Sequence, residues 1–181
     1  MSIGKEYLNT VLERFSKIKS LGEKTMSQLS DEDIHWKYNE ESNSVAVIVK
    51  HVSGNMISKW TDFLTSDGEK PTRNRDQEFT DDIATTSELL QVWEKGWKTL
   101  FATLSGLKEQ DLLKNVSIRG EKHLVIEAID RELFHSSYHT GQIVYVGKQI
   151  KNADWESLSI PKGQSEQHNR EMFEKNKAKN N

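Results

Sequence analysis

The stretch from Lys122 to Ile150, KHLVIEAIDRELFHSSYHTGQIVYVGKQI, decides how the whole chain is read. It holds no proline, and Val125, Ile126, Ile129, Leu133, Phe134, Ile143 and Val144 recur at helical steps. Those apolar residues lie on nearly every side, so this helix is expected to be the most buried in the molecule. Asn152 stands just past its end. Before it, residues 107–121 are mixed, and Val116-Ser117-Ile118 ahead of Gly120 reads as a short extended piece. Further back, Thr85-Thr86-Ser87-Glu88 has the spacing of a capping box. The helix it opens carries Leu89, Leu90, Trp93, Trp97, Leu100, Phe101 and Leu104 and stops near Gly106.

Gly68 and Pro71 break the chain into a polar loop over Asp67–Thr80. Ahead of that loop a second helix is expected from a cap at Asn43 or Ser44 to about Thr65, with Val45, Val49, Val52, Met56, Trp60 and Phe63 as its apolar stripe. A first helix is expected from Ile3, Tyr7, Val11, Phe15, Ile18, Met26 and Leu29, with its spacing broken near Leu21-Gly22 and its end at Ser30-Asp31-Glu32-Asp33. From Ala153 the chain turns polar, and Gln164 to Asn181 reads as a frayed, solvated helix or a disordered tail. The fold class is therefore all-α, a four-helix bundle with one or two longer connections over residues 1–152, followed by a polar extension over 153–181.

Composition narrows the function. Twenty-five Lys and Arg against 28 Asp and Glu give a net charge of −3, which makes no electrostatic case for nucleic acid or an anionic membrane. Zero Cys excludes disulfide scaffolds, thiolate zinc sites and a cysteine nucleophile. The longest apolar run, Val45 to Val49, is far short of the roughly 20 residues that span a bilayer. The N-terminal residues contain no apolar export signal, so a soluble cytoplasmic protein is expected. No glycine-rich loop follows an expected strand, which removes support for nucleotide-binding folds.

Nitrogen ligands are what remain. His135 and His139 stand four apart on the last helix, which stacks two imidazoles on one face with Cβ atoms about 5–6 Å apart. Six histidines in this length give roughly 0.17 such pairs by chance. The same face carries Arg131, Glu132 and Gln142. A buried helix must satisfy that polar strip, either by a hydrogen-bonded network or by a metal ion whose ligands are held by neighbouring polar groups. A third ligand would come from another segment. His35 falls in the turn after helix one, His168 in the tail, and His123 about 18 Å along the axis from His135, too far to share an ion. His51 lies in helix two but points away from its main stripe, which suits either a surface histidine or one facing a cleft, with Asn55 as its neighbour one turn on.

Two metal motifs fail. A metalloprotease helix needs Glu directly after the first His, and Ser136 stands there. A di-iron bundle needs two Glu-x-x-His motifs on separate helices; Glu132–His135 fits, but Glu32–His35 lies in a turn. Among the aromatic residues, Trp60, Phe63, Trp93 and Trp97 read as core, while Trp36 and Trp155 flank the ends of the bundle. The loop Asp67–Asp82, with Arg73 and Arg75, reads as a solvated face or as the entrance to a site.

Taken together, Asn43-Ser44, a helix with His51 and Gly54-Asn55, the run Trp60 to Glu69, and His135-x-x-x-His139-x-Gly141-Gln142 resemble the DinB/YfiT-like superfamily, in a branch of unknown function, over about residues 1–150. The resemblance implies a four-helix bundle, dimeric, with one divalent metal (zinc, nickel or iron) held by His51, His135 and His139. It also implies a reaction class, since characterised relatives transfer low-molecular-weight thiols such as bacillithiol or mycothiol, or isomerise with a thiol's help.

Three neutral imidazoles leave a tetrahedral ion one open position, the arrangement of catalytic sites. An incoming thiol would lose its proton there and attack an electrophile, or water would take the position and give a hydrolase. Glu132, Arg131, Tyr138 and Gln142 are the candidates for orienting ligands or handling protons. The rival readings are a dimeric binding or stress-response module with a structural or vestigial metal, and a helical interaction domain without metal.

Overall fold

The computed structural model describes residues 2–179. Four long helices form first from local rules: α1 (Ile3–Met26), α2 (Val45–Trp60), α3 (Thr86–Gly106) and α4 (Val125–Lys151). The hydroxyls of Ser2, Ser44 and Thr85 cap the first three, accepting the N–H groups of Lys5, Val47 and Glu88 at 3.3, 3.3 and 3.2 Å. Glu88 completes the box one residue early, accepting from the Ala84 N–H at 2.9 Å.

Helix α1 runs unbroken through Leu21-Gly22, because the bare Gly22 lets the Trp93 ring lie against it. It ends at Met26 and not Leu29, and Ser30 and Asp33 then cap each other, side chain to backbone N–H, at 3.1 and 2.9 Å. Helix α2 stops at Trp60, five residues before the expected end. Thr61 is extended and Asp62 takes φ 49°, a left-handed conformation that a short polar side chain tolerates.

The segment before α4 is a two-stranded antiparallel hairpin, β1 (Asn115–Ile118) and β2 (Glu121–Leu124), with Val116 opposite His123. Its two-residue turn, Arg119-Gly120, has φ 54° and 78°, the positive pair that matches strand twist. Lys122, His123 and Leu124 are therefore strand and not helix, and α4 starts at Val125, where Glu127 accepts the Leu124 N–H at 2.8 Å. Asn152 ends α4 with φ 47°.

The helices α1 and α2 each pack against both α3 and α4, around a core that contains Phe15, Trp60, Trp93, Trp97 and Ile129. Trp93 and Trp97 meet edge to face at 5.3 Å. Gly96 allows α2 to come so close that a Cβ there would sit 2.7 Å from the Ser53 Cα. The most buried helix is α2, and not α4 as its composition suggests. Phe134, Tyr138 and Tyr145 on α4 are 76, 56 and 66% exposed, because α1 and α2 cover only one side of it.

Past α4, Trp155 packs on Gly147, and Gln28 and Glu156 exchange hydrogen bonds at 3.2 and 2.9 Å, which returns the chain to the end of α1. A fifth helix, α5 (Ser165–Lys179), follows, with the described side chains exposed. Asn180 and Asn181 lie outside the described residues. Among the described residues no helix is long and apolar enough to cross a membrane.

Candidate metal centre

His51, His135 and His139 come together between α2 and α4, each offering a ring nitrogen within 4.8 Å of the other two. The i, i+4 spacing aligns the pair on α4, and their ring centroids are 4.6 Å apart. His51 stands on the side of α2 turned to α4, 8% exposed. Its centroid is 5.3 Å from that of His135 and 5.0 Å from that of His139. The other histidines are elsewhere: His35 meets Asp81 at 2.7 Å, His123 is on β2, and His168 is on α5.

Two of the three rings have an oxygen acceptor hydrogen-bonded at Nδ1. His51 Nδ1 donates to Glu78 Oε2 at 3.0 Å, and His139 Nδ1 donates to Gln142 Oε1 at 2.7 Å. His135 Nδ1 lies 3.6 Å from Glu132 Oε1, beyond hydrogen-bond distance, and is buried without a hydrogen-bond partner among the described residues. A proton on Nδ1 leaves the lone pair on Nε2, the tautomer that a ligand histidine needs. The Nε2 atoms of His51 and His135 are 3.3 Å apart. Two lone pairs at that separation repel unless a cation or proton lies between them, so the donor set fits a divalent ion. Burial first, and the neighbouring His135 ring second, lower the His139 pKa to about 4, so this ring is neutral at pH 7.

Glu132 is wholly buried. Lys59 Nζ donates to its Oε2 at 2.6 Å, Trp60 Nε1 to the same oxygen at 3.2 Å, and Ser136 Oγ to Oε1 at 3.0 Å. Burial pushes this carboxyl up, but the Lys59 ammonium and the His135 ring outweigh it and hold it well below the usual carboxylate range. Glu132 thus pairs with neither Arg131 nor solvent: it anchors α4 to α2 and faces His135. Gln142 orients His139 and donates to the Tyr138 hydroxyl at 3.3 Å. The Tyr138 ring sits edge-on to His139 at 5.0 Å. Arg131 is exposed at the rim of a cavity of about 340 Å³ that opens on His51 and His135.

Sequence reasoning missed Glu78 and Lys59, and named Arg73 only as part of a loop that was either a solvated face or the entrance to a site. Asn55 is not the partner of His51; Glu78 reaches it from the 67–82 loop, so that loop is folded over the cluster and is not a plain solvated face. Arg73 Nε and Nη2 grip the two Glu78 oxygens at 2.7 and 2.8 Å. Burial raises the Glu78 carboxyl while Arg73 and His51 lower it further, so it remains ionised. One signal was available: Gly54, one turn after His51, is bare, and a Cβ there would come within 2.7 Å of the Glu78 carboxyl carbon.

Comparison with known proteins finds the family described as "Protein of unknown function (DUF1572)" matching residues 2–164. No curated protein matches the chain.

Proposed function

The chain belongs to the DUF1572 family, and we propose that it is a DinB/YfiT-like four-helix bundle that uses one divalent metal to join a low-molecular-weight thiol to an electrophilic small molecule. In this reading residues 1–152 are the bundle and 153–181 an extension. His51, His135 and His139 hold the ion. The observation that carries the reading is the convergence of three imidazoles from two helices, with ring nitrogens within 4.8 Å of one another and two of the rings held at Nδ1 by Glu78 and Gln142.

A zinc, nickel or iron ion there supplies Lewis acidity, lowering the pKa of a thiol or water that reaches it. The chain supplies the rest. Glu78 and Gln142 fix the tautomer and direction of His51 and His139, and the Glu132 carboxylate lies 3.6 Å from His135. Arg73 and Lys59 keep the two carboxylates charged and in place. Tyr138 and Gln142 border a second cavity, of about 790 Å³, that lies behind His139 and is lined by none of the three histidines. The chain has no cysteine, so any sulfur arrives with a small molecule.

Metal analysis of the purified protein, alone and as His51→Ala, His135→Ala and His139→Ala, tests the site. One equivalent in the wild type and loss in each variant is expected; unchanged content in the variants sinks the assignment. Incubating metal-loaded protein with a thiol and an aromatic electrophile tests the reaction. Conjugation faster than in the triple variant supports the transferase, and a rate equal to the triple variant's leaves a non-catalytic binding module as the better reading.

A further inference from the structure

The cavity that opens on His51 and His135 has an unusual wall. Lys59, Arg73, Arg75, Arg119 and Arg131 line it, against Glu69 as the sole lining carboxylate. The chain as a whole is slightly acidic, so this is a local concentration of positive charge. Internal pairing neutralises three of the five. Arg73 is held by Glu78, Arg119 Nη2 meets Glu69 at 3.0 Å, and Lys59 meets Glu132 at 2.6 Å.

Two cations are left over. Arg75 faces only the Phe79 ring, with its Cζ 5.0 Å from the centroid, and Arg131 makes no ion pair among the described residues. Guanidinium groups keep their charge at any working pH and fit planar or tetrahedral oxyanions two hydrogen bonds at a time. A low-dielectric cleft focuses such charge on whatever enters it. Asn55 lines the same cavity with its amide oxygen buried and unpartnered, an acceptor that suits an N–H or O–H of the occupant and not its anionic group.

We propose that this cavity binds the oxyanion, carboxylate or phosphate, of the small molecule acted on at the histidine cluster, with Arg75 and Arg131 as its charge partners. The role given to the occupant rests on the metal-site reading above; the binding itself does not. Arg75 and Arg131 come from the 67–82 loop and from α4, so an anion between them ties the loop down beside His51 and His135.

The probes are inorganic phosphate and succinate, titrated calorimetrically into both metal-loaded and chelator-treated protein, with Arg75→Gln, Arg131→Gln and the double variant beside Lys98→Gln on the far helix α3. Saturable millimolar binding is expected in both forms of the wild type and in Lys98→Gln, weakened at least about tenfold in the double variant (about 1.4 kcal/mol). Because both arginines are exposed, an unchanged melting temperature is expected and certifies the fold. The tighter of the two probes identifies the anionic group. No saturable binding to either probe overturns the proposal, as does binding confined to the metal-loaded form and indifferent to both arginines. Failure of the metal-site reading is separate: it would appear as absent metal with phosphate binding intact.

Discussion

At the scale of single residues, the centre depends on groups that touch the histidines and not on the histidines alone. Glu78 reaches His51 only because position 54 carries no side chain. Glu78→Gln is expected to weaken metal binding by about 10–100-fold, the usual effect of removing a carboxylate behind a ligand histidine. Gly54→Ala, which alters no ligand and no acceptor, is expected to weaken it in the same direction by displacing Glu78. Competition against a chromophoric chelator reads both, and wild-type affinity in Gly54→Ala would show that the close approach does not matter. Lys59 carries a different load. With Glu132 fully buried, Lys59→Met strands a carboxylate in the core, and about 3–5 kcal/mol of stability should be lost in urea unfolding. Lys59→Met/Glu132→Gln is expected to recover much of that, because the stranded charge is gone. The pair His135 and His139 was legible from spacing, since four residues on a helix dictate a shared face. Glu78 was not, because its proximity to His51 is made by tertiary folding of a loop 27 residues downstream.

Among the elements, caps and apolar periods locate the helices well, and the two largest departures have local causes. Asp62 in the left-handed region cut α2 short, and Leu124-Val125-Ile126 joined a strand end to a helix start in one apolar run. The positive-φ signal at Arg119-Gly120 marks the hairpin, but only the pairing with β1 shows how far β2 extends. That hairpin is tied to the loop over the site by the Gly68 N–H donating to the Ser117 carbonyl, by the Arg119–Glu69 pair and, most extensively, by the Asp67 carboxylate. Asp67 accepts the N–H groups of Glu69, Arg119 and Gly120, each at 2.8 Å, and the Ser117 hydroxyl. The Ser117 hydroxyl first, and then these N–H groups, hold its carboxyl well below the usual range. An unfolded Asp titrates near about 3.9, so the stabilisation is complete above that pH and is lost as the pH falls through the lower folded value. The stability difference between wild type and Asp67→Asn in urea should therefore stay level from about pH 7 to 5 and shrink below about pH 4. A difference that instead closes between pH 5 and 7 would assign the effect to another group. The same variant loosens the segment that carries Arg73 and Glu78, so a loss of metal affinity should accompany the loss of stability.

For the whole molecule, the outer side of α4 is the feature the fold leaves unexplained. Phe134, Tyr138 and Tyr145 stand 76, 56 and 66% exposed, and their spacing of four and seven residues puts them on one face with Gly141 between. These three form a strip, and the exposed Trp36 and Tyr38 line a cavity beside Tyr138 and Tyr145, a continuous apolar pattern of the kind that marks an interface. The apolar positions all round α4 read as full burial, but Phe134 is exposed and Ile126, Leu133 and Val144 are half-buried. A strip along one helix suits a two-fold contact in which α4 crosses its own copy, with Gly141 permitting close approach. A contact on this strip would bear on the site, because Tyr138 lies edge-on to His139 and receives a hydrogen bond from Gln142, which in turn orients His139. Sedimentation at micromolar concentration is expected to give twice the 20.9 kDa chain mass for the wild type. Phe134→Asp and Tyr145→Asp, each placing a charge in the strip but touching no histidine, are expected to give the single-chain mass with metal content retained. A wild type that sediments as one chain would sink the dimer and leave the strip to a partner of another kind; variants that dissociate and also lose metal would place the contact within the support of His139.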